Sequence, residues 1–449
     1  MRKHLDEARA GAETALRDIA EHEPGLAAAV LVVDLFGRIS ATLWLVPSVV
    51  EQAPLTEAVQ TRLNAACAQF AGQVAVATAA SPADETDLLH RTAWEEGAPL
   101  DGSPVGRAEL RLNDRHRNHT SWFVRPGRPE EQSCWPRDQG PPVVVFHGYK
   151  GGVGRTTLLA SYALACARRG QKPVVVDMDL DAPGVGFLLD DDGATARWGN
   201  VDFLLEATHD LPLTDYFHVC ARPGVTGDGR AEVFPAGSLD DGYLSKLGRL
   251  NLEIRDSVRS HPLWLLLERI RQERAPDVIL LDGRAGLSPA AGLLLSGIAH
   301  LHVLVGTSNT QSLEGLNRVI RHLGYEQARR ELPQRECIVV QAHVPDHVEA
   351  AEFARDHFAA RVLDFFRDGY YSRERTEEDN TWSLDDLDSA VAPHVPIPIS
   401  YRERFAHFKN IDEIADDLVS SPEQVRLHQR IDERLGRGPA TDVEEADNA

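Results

Sequence analysis

Lys150, Arg155, Thr156 and Thr157 share one short stretch with Gly151, Gly152, Val153 and Gly154. Two cations, two hydroxyls and three glycines make an anion-binding composition. Glycines let consecutive backbone N–H groups turn inward around an anion, and a helix beginning near Thr156 adds the positive end of its dipole. A hydroxyl in the first helical turn is a ligand type for Mg²⁺. Carboxylates follow at Asp177, Asp179 and Asp181, then at Asp282 with Arg284 close behind. Carboxylates facing a triphosphate repel it unless a cation intervenes, so the pattern calls for Mg²⁺.

The flanking sequence must position these groups. Val143–His147 is a β-branched run that reads as a buried strand. Leu158–Arg169 is small, apolar and alanine-rich, with Gly170 at the place of a helix C-cap. Pro173–Asp177 reads as a second buried strand that ends in carboxylates. The order is strand, glycine loop, helix, strand. Against the general phosphate-loop pattern G-x-x-x-x-G-K-[ST] the fit is approximate. With Gly154 as the second glycine, the first falls on Tyr149, and Arg155 stands where lysine is expected.

The run KGGVGRTT resembles the deviant Walker A motif, K-G-G-x-G-K-[ST], of the ParA/MinD-like P-loop ATPases. The resemblance covers about residues 142–435. It implies ATP and Mg²⁺ as cofactors, with the loop residues 151–157 on the phosphates. Lys150 matches the signature lysine that reaches a partner subunit's nucleotide in an ATP-dependent homodimer. Asp179 matches the carboxylate that orients the attacking water, and Asp177 the one that supports Mg²⁺ through water. The segment DVILLD, residues 277–282, followed by GRAGLS resembles the family's Walker B, so Thr156 and Asp282 are expected to hold Mg²⁺ and Gly286 to act as a switch. Arg284 reads equally as a γ-phosphate contact, an arginine finger or one half of a structural ion pair. Strands are expected at Leu301–Gly306 and Cys337–Ala342. Gln341 stands where relatives read the adenine edge, and 397–404, with Pro398, where a loop covers the base. No N-K-x-D sequence supports guanine.

Arg155 departs from the family's ordinary lysine. Of 47 Lys plus Arg residues only five are lysine (3, 150, 172, 246 and 409), which leaves 42 arginines. Such bias lets arginine drift into positions indifferent to the choice, so a lysine kept at 150 argues for need. Arg155 has two readings: a tolerated phosphate-binding cation, or a planar fork that slows hydrolysis.

The fold class expected is α/β: a doubly wound, mostly parallel sheet in a P-loop NTPase domain, preceded by a small α/β domain. Residues 1–123 form that first domain. It should hold a helix at 5–21, strands at 26–34 and 39–46 around a Phe36-Gly37 hairpin, a helix at 56–70 and a strand at 73–78. A polar cluster from Asp114 to Trp122 closes it and reads as a solvated turn or a binding loop. Residues 124–141 are a Pro-rich linker, 142–435 the ATPase-like domain, 345–392 a polar helical insertion, and 436–449 an acidic disordered tail. Residues 190–275 read as peripheral helices and loops.

A net charge of −22 disfavours nucleic acid and anionic lipid as partners. Five scattered cysteines form no C-x-x-C pair, and no apolar run is long enough to span a bilayer, which points to a cytoplasmic protein. The function expected is a Mg-ATP-binding, ATP-hydrolysing dimeric switch. It would signal to a partner protein, through the N-terminal domain or the insertion, in a bacterial regulatory or defence pathway. The alternative is a non-hydrolysing ATP sensor or scaffold.

Overall fold

The computed structural model describes residues 3–46, 52–115, 134–190, 196–209, 211–252, 258–324, 334–373 and 382–437. Two compact units emerge, Met1–Asn118 and His119–Ala449.

The first unit is built on strands β1 (Leu26–Val33), β2 (Ile39–Leu45), β3 (Ala71–Val76), β4 (Ala98–Pro99) and β5 (Glu109–Asp114), in the order β3-β2-β1-β5-β4. β1 and β2 form the expected antiparallel hairpin, and Gly37 supplies the turn's positive φ of 78°. The period-2 alternation of β1 sorts its side chains. Ala29, Leu31 and Val33 pack beneath helices α1 (Leu5–His22) and α2 (Gln52–Cys67), while Ala28 and Val30 meet Trp44 and Trp94 on the other face. Trp94 lies in α3 (Leu88–Glu95). At the end of β5, Asp114 pairs with Arg9 at 3.1 Å. The rest of the polar cluster, His116 to Trp122, lies outside the described residues.

The second unit is an eight-stranded sheet. Its strands are β6 (Val143–Gly148), β7 (Pro173–Met178), β8 (His218–Cys220), β9 (Ala231–Phe234), β10 (Val278–Gly283), β11 (Leu301–Gly306), β12 (Cys337–Val344) and β13 (Ile397–Ser400). The order is β13-β12-β11-β6-β10-β7-β9-β8, and every pair is parallel except β8 with β9. Buried on both faces, β6 and β10 read as continuous apolar runs, as a covered parallel sheet requires. Val144 and Phe146 face α4 (Arg155–Arg168); Val143 and Val145 face the layer that holds α5 (Pro262–Arg274). Helices α6 (Thr310–Leu323) and α7 (Val348–Gly369) cover β11 and β12, and α8 (Pro422–Arg434) lies along α4. Ser161 of α4 bonds Gln424 and His428 of α8 at 3.0 and 2.8 Å, and the Tyr162 hydroxyl donates to Asp432 at 2.6 Å.

Three segments differ from the sequence expectation. Region 190–275 contributes two strands as well as helices, and β9 extends the sheet beside β7. Segment 345–392 is helical as expected but not polar throughout: Phe358, Val362, Phe365 and Phe366 of α7 are buried in the core against α6. The described end of the expected linker, 134–141, is packed. Trp135 is buried, stands edge-on to Trp264, and donates its indole N–H to Pro141 O at 2.9 Å.

Among the described residues no helix is long and apolar enough to cross a membrane.

Candidate functional site

Strand register brings the carboxylates together. Asp282 of β10 sits level with Asp177 of β7 on one side and with Phe146 of β6 on the other. All three lie at the C-terminal ends of central parallel strands, where a doubly wound sheet opens its crevice. β6 then runs into the glycine loop, and α4 starts at Arg155 after Gly154, whose φ is +82°. Gly152 has φ +72°, and a Cβ added at Gly151, Gly152 or Gly154 would meet nothing within 4 Å. The loop therefore keeps an open space lined by backbone at a helix N-terminus, a ready anion cradle.

A cavity of about 860 Å³ opens on this loop. Its lining includes Lys150 to Leu158, Asp179, Asp181 and Arg284 at one end and Ile399, Tyr401 and Phe405 at the other. A second cavity, about 420 Å³, shares Lys150 to Val153 and is lined by Thr307, Ser308, Asn309 and His343. Lys150 is exposed and faces both.

Arg155 does not extend along the loop. It is 9% exposed and folds between two carboxylates. Its Nε donates to Asp282 Oδ1 and its Nη2 to Asp179 Oδ2, each at 2.7 Å. Thr156 Oγ1 donates to the other oxygen of Asp282, also at 2.7 Å. Burial works against the Arg155 charge, but Asp282 and Asp179 outweigh it and hold the guanidinium firmly protonated. Burial raises the Asp282 carboxyl, and Arg155 opposes that rise. His147, buried beneath the loop, is pushed down to about 3 by burial and then by Arg155, so it is neutral.

Asp177 has a different role from the one expected. It is fully buried, does not line the cavity, and accepts backbone N–H bonds from Asp179 and Gly184 at 3.1 Å and from Gly186 at 3.5 Å. Burial, then the neighbouring Asp282, pushes its carboxyl up to about 7. It fixes the loop that carries Asp179. Asp179 itself lines the cavity, and its Oδ1 has no partner.

The expected Mg²⁺ site does not fit. The donor types are right, but Thr156 and Asp282 bond each other, and the guanidinium occupies the space between Asp282 and Asp179. Among the described residues no group of three or more His, Cys, Asp or Glu could hold a metal ion.

Other expectations resolve as follows. Arg284 forms an ion pair with Asp181 at the cavity mouth. Gly286 has φ +83° and donates its N–H to Gly148 O at 3.1 Å, which ties the turn after β10 to the loop. Gln341 is bonded within the protein. It is 1% exposed, and its amide N–H group donates to Ser308 Oγ at 3.0 Å and Ala354 O at 2.8 Å. Its neighbours Ala342 and His343 line the cavity instead. Pro398 pairs with Gln341 in register without lining the cavity, whereas Ile399 to Arg402 do line it. The aromatic pair Tyr401 and Phe405 was legible only as aromatic residues following a short strand.

One contact escaped the sequence altogether. The Tyr149 ring lies over Gly315 of α6, where an added Cβ would stand 1.9 Å from the ring's Cγ. Gly→Ala within a helix ordinarily stabilises by about 1 kcal/mol. At Gly315 the substitution must instead displace a ring at its root, and with it the loop. We expect Gly315→Ala to lower the melting temperature and Tyr149→Ala to restore it in the double variant. A rise in melting temperature from Gly315→Ala alone would contradict the contact.

No protein-family model matches the chain, and no curated protein matches it. Solved structures do. The chain is similar to McdA, MinD and ParA. An ATP complex of Cyanothece McdA is 12% identical, over 68% of this chain and 100% of that one, with a TM-score of 0.45. Aquifex aeolicus MinD, a cell division protein, is 16% identical, over 67% and 100%, with a TM-score of 0.40. The pNOB8 ParA structure is 16% identical, over 65% and 99%, with a TM-score of 0.42. With TM-scores below 0.5, the chemistry of this site has to be read from its own residues.

Proposed function

We propose that this chain is an ATP-binding molecular switch. The observation that carries the reading is the open glycine cradle at the N-terminus of α4, facing a cavity large enough for a nucleotide. Phosphates would lie on the loop amides at the Thr157 side of the helix start. The base would lie toward Tyr401 and Phe405, whose rings offer an apolar stacking surface. Lys150, exposed and unabsorbed by the fold, would complete the site of a second copy in an ATP-dependent homodimer. Output would pass to a partner protein through the N-terminal unit or α7. Asp179, with Oδ1 unpartnered in the cavity, is the residue that would hold an attacking water.

Size-exclusion chromatography tests the switch. We expect ATP and a non-hydrolysable analogue, but not ADP, to move the protein to dimer size, and Lys150→Ala to abolish the shift. Identical elution in all three nucleotides would sink the reading.

The Arg155 bridge favours a second reading, a sensor that binds ATP without turning it over. It holds one oxygen of Asp179 and so limits that carboxylate as a water-positioning group. Turnover in the wild type that disappears in Asp179→Ala would exclude the sensor.

A further inference from the structure

The most unusual group in the molecule is the buried guanidinium at the place where a divalent cation is expected. It is the only cation that either Asp179 or Asp282 pairs with among the described residues. Three oxygens of these two carboxylates are engaged at 2.7 Å, two by Arg155 and one by Thr156. The hydroxyl and the carboxylate that would hold a metal thus hold each other. An ammonium would have to serve both carboxylates from a single nitrogen, whereas the guanidinium is a rigid planar fork that reaches the two acceptors through separate nitrogens, Nε and Nη2, and keeps a third. The bridge leaves something over. Nε and Nη2 face the carboxylates, Arg155 lines the cavity, and its Nη1 has no protein acceptor among the described residues. That nitrogen can donate a charge-assisted hydrogen bond to a phosphate oxygen.

The charges then suffice without a metal. Divalent cations are needed in phosphate sites to screen carboxylates from the triphosphate and to neutralise its oxygens. Here Arg155 does the first. Lys150, the loop amides and the α4 dipole share the second. We propose that Arg155 replaces the divalent cation, so that this site binds a nucleoside triphosphate without Mg²⁺ and the nucleotide-free protein has no affinity for the metal. This rests on the nucleotide-binding reading above.

Two binding measurements on the full chain test it, neither of which needs turnover. The first titrates a fluorescent ATP analogue in excess EDTA and in excess Mg²⁺. For the wild type we expect dissociation constants that agree within about threefold. For Arg155→Lys, whose single nitrogen lacks the fork and its spare donor nitrogen, we expect EDTA to weaken binding by about tenfold or more. A tenfold loss in EDTA for the wild type overturns the inference while leaving the nucleotide reading intact. Binding in neither buffer overturns the nucleotide reading, and this inference with it. The second measurement follows the Mn²⁺ electron paramagnetic resonance signal as nucleotide-free protein is added. The signal should stay that of free Mn²⁺. One bound ion per chain overturns the proposal. Because the wild type alone decides both measurements, a variant that folds poorly cannot rescue or sink it.

Discussion

Arg155→Ala should destabilise the larger unit by about 3–5 kcal/mol, the cost of removing one partner from a buried ion pair. The arithmetic of burial explains the size. Asp282 is fully buried and Asp179 is 7% exposed, so neither can recover its charge solvation from water. Deleting the guanidinium leaves two like charges facing each other across an apolar sheet edge, with Asp177 beside them. The protein's remaining response is to protonate a carboxylate. Destabilisation should therefore be largest at neutral pH and shrink as the buffer is acidified. Hydrogen exchange of β6 and β10 amides reads the effect without confusion from the other unit. The double variant Arg155→Ala/Asp282→Ala should regain part of the loss, because the buried carboxylate left unpaired by the first substitution is removed by the second. Exchange rates in Arg155→Ala equal to those of the wild type would mean the bridge is an ornament of the fold.

Mild acid should weaken the larger unit by a comparable amount, through histidines far from the loop. His302 is fully buried and burial pushes it down to about 3, with Arg335 next in effect; His428 is 3% exposed and is pushed down to about 3 by burial and then Arg169. His261, also 3% exposed, is pushed down to about 4 by burial. Unfolded, each titrates near 6.5. A base whose folded value is depressed contributes stability that is present above the unfolded value and is lost as pH falls toward the folded one. At pH 5 the loss is about 2 kcal/mol for each of the three, or about 6 together. Asp177 acts with the opposite sign. Its folded value of about 7 lies above the unfolded 3.8, so its contribution is present at low pH and is lost as pH rises through 7. Between pH 7 and 5 it returns about 2 kcal/mol, less than the three histidines lose, and His147 and His300, pushed down to about 3 and about 4, add to the loss. Thermal unfolding at pH 7 and pH 5 checks the sum. A melting temperature that is flat or higher at pH 5 would contradict it.

Much of the site was legible because its groups are close in sequence or end apolar strands. The glycines, Thr156 and the two carboxylate-tipped strands, β7 and β10, were placed from residue type and order alone. The Arg155 bridge was not, because it joins residues 127 apart, at the start of α4 and the end of β10, that come together only through the pairing of β6 with β10. The bonds of Gln341 to Ser308 and Ala354 were hidden for the same reason: their acceptors come from distant parts of the chain. Strands β8 and β9 escaped notice because three and four residues are too few for a period to show. In α7 the exposed Glu, Asp and Arg residues hid a stripe of Phe358, Val362, Phe365 and Phe366 at helical spacing.

The two outer strands of the larger sheet, β13 and β8, are four and three residues long. An exposed row of backbone N–H and C=O groups is a template on which further chains can pair, and brevity is one way of denying it length. Pro398 removes one donor from β13 as well, and β8 runs against the direction of its neighbours. A sheet blunted at both margins resists end-on growth into filaments.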